Sequence, residues 1–163
     1  MQAGLACALP AGVRWCACGG DVGVIGRVGC ERLPQAVFVK GRCALVGAAG
    51  ARSLRAETLN AVKGVRWGHV RWLAVRGHGC KVAASGRRVE LKLGFSHAVN
   101  VELKPQVRAF AHDSVKLKLV GASLQSVAAQ ACAIKSFKAP DAYSARGVSY
   151  RLERLHTKVG KKK

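Results

Sequence analysis

Apolar and polar residues alternate through much of the second half of the chain. Val89, Leu91 and Leu93 are spaced by Glu90 and Lys92, the two-residue period of a strand with one buried face. Val99, Val101 and Leu103 repeat it, and Val115, Leu117 and Leu119 do so with Lys116 and Lys118 facing outward. Turn chemistry divides the runs at Ser85-Gly86, at Gly94 with Ser96, at Pro105-Gln106 and at Asp113-Ser114. Connections this short join antiparallel neighbours, so the pattern predicts a meander-like sheet. Beyond Leu119 the period lengthens. Leu124, Val127, Ala128, Ala131 and Ile134 fall at helical spacing, with Ser123 placed to cap the helix and Pro140 to stop it. Its apolar stripe can cover one face of the sheet.

The first half reads as a shorter copy. Val13, Trp15 and Ala17 alternate, Gly19-Gly20-Asp21 turns the chain, and Val22 and Val24 follow. Val37 and Val39 resume before a Lys40-Gly41 turn. Leu45-Val46-Gly47-Ala48 then recurs at Leu119-Val120-Gly121-Ala122, and each copy leads into a Ser-Leu helix start, at Ser53-Leu54 and at Ser123-Leu124. The first helix is predicted to run to about Lys63, with Gly64 as its stop. The repeated order points to duplication. The predicted fold is α+β: two similar small domains, 1–66 and 67–163, each an antiparallel sheet packed with one helix, the second carrying a basic C-terminal extension.

Charge narrows the partners. Twenty-eight Lys and Arg stand against eight Asp and Glu, a formal +20, which repels itself and favours a polyanion: nucleic acid, acidic protein or anionic membrane. Half the residues are hydrophobic, so this is no disordered basic tail. The longest uncharged stretch, Leu119 to Ile134, carries Gly121, Ser123, Gln125, Ser126 and Gln130. It falls short of the ~18–20 apolar residues of a membrane span, and its helix has no basic face for lying on a membrane. The seven cysteines lack paired C-x-x-C spacing and are expected to be small buried thiols in a reducing compartment. Neither a secretory signal nor an Arg-rich transit peptide is visible at the start.

Catalysis finds little support. Gly94-Phe95-Ser96-His97-Ala98 has the outline of a nucleophile elbow, but a strand follows where that motif needs a helix. Gly23, Gly26 and Gly29 lack the Lys-Ser/Thr of a phosphate loop. The carboxylates are scattered, and His112 and Asp113 point apart on a strand end. No enzyme, cofactor, metal or small-molecule substrate is expected.

The segment from Lys135 to Lys163 is different. Nine Lys or Arg accompany two acids there. Tyr143 and Tyr150 sit among Lys138, Arg146, Arg151, Arg154, Lys158 and Lys161 to Lys163, the mixture that stacks on bases while neutralising phosphates. Gly147 lets the backbone approach a partner closely. The expectation is a docked RNA-binding segment, removable before Ser136 with both domains left folded.

By Gly77-His78-Gly79, Leu93-Gly94-Phe95-Ser96-His97, the Val-x-Leu strands, Lys138-Ala139-Pro140-Asp141-Ala142-Tyr143, Arg146-Gly147-Val148 to Tyr150, and Val159-Gly160-Lys161-Lys162, the chain resembles the bacterial and organellar large-subunit ribosomal protein six family. Leu9-Pro10-Ala11-Gly12-Val13 and Leu59-Asn60 with Val65 extend the likeness to the first half. The resemblance implies a two-domain structural protein that binds large-subunit rRNA near the stalk base and the sarcin-ricin loop. Neighbouring ribosomal proteins and translational GTPases would stand close by. Carried over by position, the implied rRNA contacts are Lys138, Tyr143, Ser144, Arg146, Gly147, Tyr150, Arg151, Arg154, Lys158, Lys161, Lys162 and Lys163, with Ser96 and His97. The family often has Lys at the position of Ser144, Gly at Ala145 and Arg at Ser149, so this loop is less basic than usual. The Ala/Gly/Arg/Cys-heavy drift and the shortened first domain resemble an organellar member, in a mitochondrion before a plastid or a bacterial cytoplasm. The alternative is a free-standing basic nucleic-acid binder outside the ribosome.

Overall fold

A computed structural model describes residues 5–18, 21–33, 37–40, 43–46 and 51–161. The chain divides into two compact units: Met1–His69 with Gly121–Leu124, and Val70–Val120 with Gln125–Lys163.

The first unit carries β1 (Leu5–Ala8), β2 (Arg14–Cys18), β3 (Asp21–Ile25), β4 (Cys30–Arg32), β5 (Val37–Lys40), β6 (Cys43–Val46) and α1 (Ala51–Trp67). The strands form two antiparallel three-stranded sheets, ordered β1-β6-β5 and β2-β3-β4. The alternating runs of the sequence fall on β2, β3 and β5, and the Leu45-Val46 half of the repeat on β6, whereas β1 and β4 had no such pattern to announce them. Gly19-Gly20, Gly41 and the Gly47-Ala48 half of the repeat lie outside the described residues. Leu9, Val13, Val24, Leu33, Ala61, Val62, Val65 and Ala122 make the core. On α1 the buried positions Thr58, Ala61, Val62 and Val65 follow the spacing of one helical face.

Gly64 does not stop this helix. It lies inside α1, where an added β carbon would stand 2.0 Å from the Ala122 carbonyl oxygen and 2.6 Å from the His69 ring. Its role is close packing. The helix closes one turn later, where the Gly68 amide donates to the Gly64 carbonyl at 2.8 Å and Gly68 takes φ +81°, the left-handed cap that a side chain resists.

The second unit carries β7 (His69–Arg76), β8 (Lys81–Ser85), β9 (Arg88–Lys92), β10 (Val99–Glu102), β11 (Val107–Asp113), β12 (Lys116–Gly121), α2 (Leu124–Ser136) and β13 (Gly147–Tyr150). The expected single meander is two sheets, β10-β9-β8 and β11-β12-β7-β13. The alternating residues point where their period placed them: Val89, Leu91, Leu93, Leu103, Leu117 and Leu119 are buried. Val115 is the exception, exposed in the turn before β12. Val127, Ala131 and Ile134 of α2 complete one core with Leu73, Val75, Val107 and Val148.

That core corrects the picture of a removable tail. β13 pairs antiparallel with β7, Gly147 opposite Arg76, Val148 opposite Val75, Ser149 opposite Ala74 and Tyr150 opposite Leu73. Val148 is fully buried, a burial that stabilises by about 1.5–3 kcal/mol. A cut before Ser136 removes a strand of the sheet.

The cysteines are also more varied than expected. Cys80 is buried and Cys16 half-buried, but Cys30 and Cys132 are exposed; none of the four forms a disulfide. Cys16 and Cys30 bring their sulfurs to 3.9 Å from strands on either side of β3. Backbones two strands apart are about 9.5 Å distant, beyond the ~4.4–6.8 Å Cα separation of a disulfide. Among the described residues no group of His, Cys, Asp or Glu could hold a metal, and no helix is long and apolar enough to cross a membrane.

Candidate nucleic-acid interface

The chain leaving α2 folds into a short loop before entering β13, and its own backbone holds it. The Asp141 amide donates to the Arg146 carbonyl at 3.0 Å, the Ala145 amide to the Asp141 carbonyl at 3.0 Å, and the Val148 amide to the Lys138 carbonyl at 2.9 Å. Asp141 also caps the turn: its Oδ2 accepts from the Ser144 amide at 3.0 Å and the Ser144 hydroxyl at 2.7 Å. The Ser144 hydroxyl bond first, then backbone amides, hold the Asp141 carboxyl below its ordinary range. Ala145 pays for the turn with φ +54°, and Gly147 with φ +143°.

What the loop exposes is cationic and aromatic. Tyr143 at its tip is 62% exposed, and Arg146 is exposed. Among the described residues no carboxylate pairs with Arg146, Arg154, Lys158 or Lys161. The extended chain after β13 returns to the loop, where the Lys158 amide donates to the Ala142 carbonyl at 2.8 Å. Charge is thus set beside Tyr143 by backbone bonds as well as by sequence.

Lys138 joins this loop to the bend between β9 and β10. Its Nζ donates to the Leu93 carbonyl and lies 5.1 Å from the centre of the Phe95 ring. Phe95 in turn stacks on His97, centroids 6.0 Å apart and planes 16° from parallel. Ser96 and His97 are exposed. Lys138 therefore gives at least one of its three ammonium donors to the fold.

Other predicted contacts serve the fold. Gly147 is buried, and a β carbon there would meet the Ala139 and Lys138 carbonyl oxygens at 2.7 and 2.8 Å; the glycine admits the chain's own backbone. Tyr150 is half-buried beneath the Lys135 ammonium, 5.0 Å from its ring centre. Lys135 also bonds Glu153 at 2.6 Å, and the second Glu153 oxygen accepts from the Tyr150 amide at 3.0 Å. Those bonds, the lysine's first, hold the Glu153 carboxyl low. Ser149 is fully buried, so that position offers no charge to a partner here. Arg151 is not in the loop but stands over Trp72, 5.4 Å from its ring centre. Lys162 and Lys163 lie outside the described residues. Trp72 and the cations around it were missed in the sequence, although an aromatic among Arg71, Arg76 and the outward Lys116 and Lys118 was the available signal.

The second unit is a strand-rich α+β fold with a basic, backbone-braced loop, and comparison with known proteins finds relatives. Residues 76–151 match the family model of Ribosomal protein L6. The large ribosomal subunit protein uL6 of Campylobacter concisus is 39% identical over 107 residues, 66% of this chain and 60% of that protein. The uL6 protein of Vibrio cholerae is 37% identical over 115 residues, 71% of this chain and 65% of its own length, and that of Vibrio vulnificus 36% over the same span. Over this segment the chain is similar to the ribosomal protein L6 family, a structural and non-enzymatic one. The chain spans about 60–65% of the length of these curated relatives.

Proposed function

We propose that this chain is a structural constituent of a large ribosomal subunit, holding rRNA with the loop from Lys138 to Gly147, the bend at Ser96 and His97, and the cations from Arg154 onward. One observation carries the reading: an exposed Tyr143 and an Arg146 with no carboxylate partner among the described residues sit on a loop already closed by its own hydrogen bonds. A pre-formed loop loses little conformational entropy on binding. The duplicated two-domain arrangement with a boundary near residue 66, a place near the stalk base and sarcin-ricin loop, and neighbouring translational GTPases belong to the same proposal. So does a mitochondrial address, which rests on the drift in composition against bacterial relatives; cell fractionation checks it.

Filter binding of the full chain to large-subunit rRNA tests the loop. Tyr143→Ala weakens binding by about 1–3 kcal/mol, the scale of one base stacked on an aromatic ring. Arg146→Ala weakens it and lowers the salt slope by about one. Wild-type affinity and slope in both variants, with unchanged thermal unfolding, would remove the loop from the interface.

A further inference from the structure

The four-stranded sheet of the second unit has one face against the core and one on which the described side chains of β11, β12 and β7 are exposed or half-buried, with Ser149 of β13 covered. On β11, Val107 and Ala109 are buried while Arg108 and Phe110 are exposed, Phe110 by 51%. On β12, Leu117 and Leu119 point inward and Lys116 and Lys118 outward. Trp72 of β7 alternates with buried Leu73 and so stands on the outer face. A row of side chains crosses it, one from each successive strand. His112 of β11 meets Trp72 edge-on at 5.8 Å. Lys118 of β12 lies 5.5 Å from the Trp72 ring centre, and Arg151, just past β13, lies 5.4 Å from it. Arg151 is fixed at its backbone by an amide bond to the Trp72 carbonyl at 3.1 Å. A hollow of about 390 Å³ opens beside the indole, bounded by Val70, Tyr150 and Leu152, the last 92% exposed.

We infer that this sheet face is a second RNA surface, a platform on which bases of a single-stranded RNA segment stack. Trp72 would take one base, and Lys118 and Arg151 the flanking phosphates. Three physical facts select RNA. Open sheet faces with aromatics between cations present flat π-surfaces at the spacing of unstacked bases. Among the described residues no carboxylate pairs with Arg108, Lys118 or Arg151, and Asp113, at the end of β11, is already held by Lys116 at 2.6 Å. The cations near the indole have long flexible stems, so they can swing aside as a base arrives. The inference rests on the RNA-binding reading for its polyanion, but not on the loop around Tyr143.

The test uses the full chain, a twelve-nucleotide oligoadenylate and indole fluorescence. Oligoadenylate is expected to quench the wild-type emission. Trp72→Ala removes the Trp72 part of that quench and weakens binding about tenfold, the effect of one lost stacked base, while Trp72→Phe stays within a few-fold of wild type. Circular dichroism verifies the fold. If Trp72→Ala does not fold, the paired change His112→Ala with Lys118→Ala, on the same row, decides by the same measurements. Wild-type affinity in the folded variant overturns the inference. So does a Trp72 quench produced by poly-glutamate in place of oligoadenylate, which would make the occupant an acidic protein. If Tyr143→Ala weakens rRNA binding while Trp72→Ala changes nothing, the sheet platform falls and the loop reading stands.

Discussion

Between Lys138 and Tyr150 single residues decide whether the loop keeps its shape. Gly147 combines φ +143° with contacts that would bring a β carbon within 2.9 Å of three backbone atoms. Gly147→Ala is therefore expected to cost at least about 1–3 kcal/mol, the scale of a strained backbone position, in urea unfolding. Ala145 is the opposite case, a side chain at φ +54°. Ala145→Gly should stabilise by about 1 kcal/mol, because the left-handed conformation costs an L-residue ~1–2 kcal/mol. Ser149 buries a hydroxyl oxygen that finds no hydrogen-bond partner among the described residues. Ser149→Ala should leave stability unchanged or raise it by about 1 kcal/mol, the desolvation penalty of such a group. A marked loss would mean that the hydroxyl is paired. Asp141 and Glu153 also make the loop acid-sensitive. Each folded-state pKa lies below its ordinary value, so each contributes stability that is present above the unfolded pKa of about 4. That contribution is lost as pH falls through the depressed folded value. Protection factors of the Ser144 and Tyr150 amides against exchange should fall below about pH 4, while protection independent of pH across that range would contradict the bonds to these carboxylates.

At the scale of elements, β13 separates what the sequence showed from what it could not. The period-two runs at Val89, Val99 and Val115 placed β9, β10 and β12, and the helical spacing from Leu124 placed α2, because burial of one face writes itself into the pattern. Gly147 to Tyr150 carries no such alternation: Gly147, Val148 and Ser149 are all buried. Among so many cations it passed for tail. Its pairing with β7 is long-range, and β7 itself, His69 to Arg76, carries three basic residues that mask its buried Leu73 and Val75. Gly64 was misplaced for a related reason. Glycine marks both a helix end and a helix contact, and only the Ala122 backbone across from it distinguishes the two. The loop's charge was legible, whereas the assignment of Gly147, Ser149 and half of Tyr150 to the fold was not. Truncation after Glu153 is expected to keep the second unit folded. Truncation before Ser136 should abolish its cooperative unfolding, and a cooperative transition in that shorter chain would show that β13 is dispensable.

For the whole molecule, a formal +20 on 163 residues makes the polyanion part of the functional state. Affinity for rRNA should fall by orders of magnitude between about 50 and 200 mM salt if roughly six or more phosphates are neutralised. On the proposed function, that polyanion is the RNA of a large ribosomal subunit. Sucrose-gradient sedimentation of the full chain at low salt, with ribosomal subunits present, tests it most directly. The chain should travel with the large subunit and be released as salt rises. A chain that stays at the top of the gradient, or follows the small subunit equally well, would contradict the account and favour a basic nucleic-acid binder outside the ribosome.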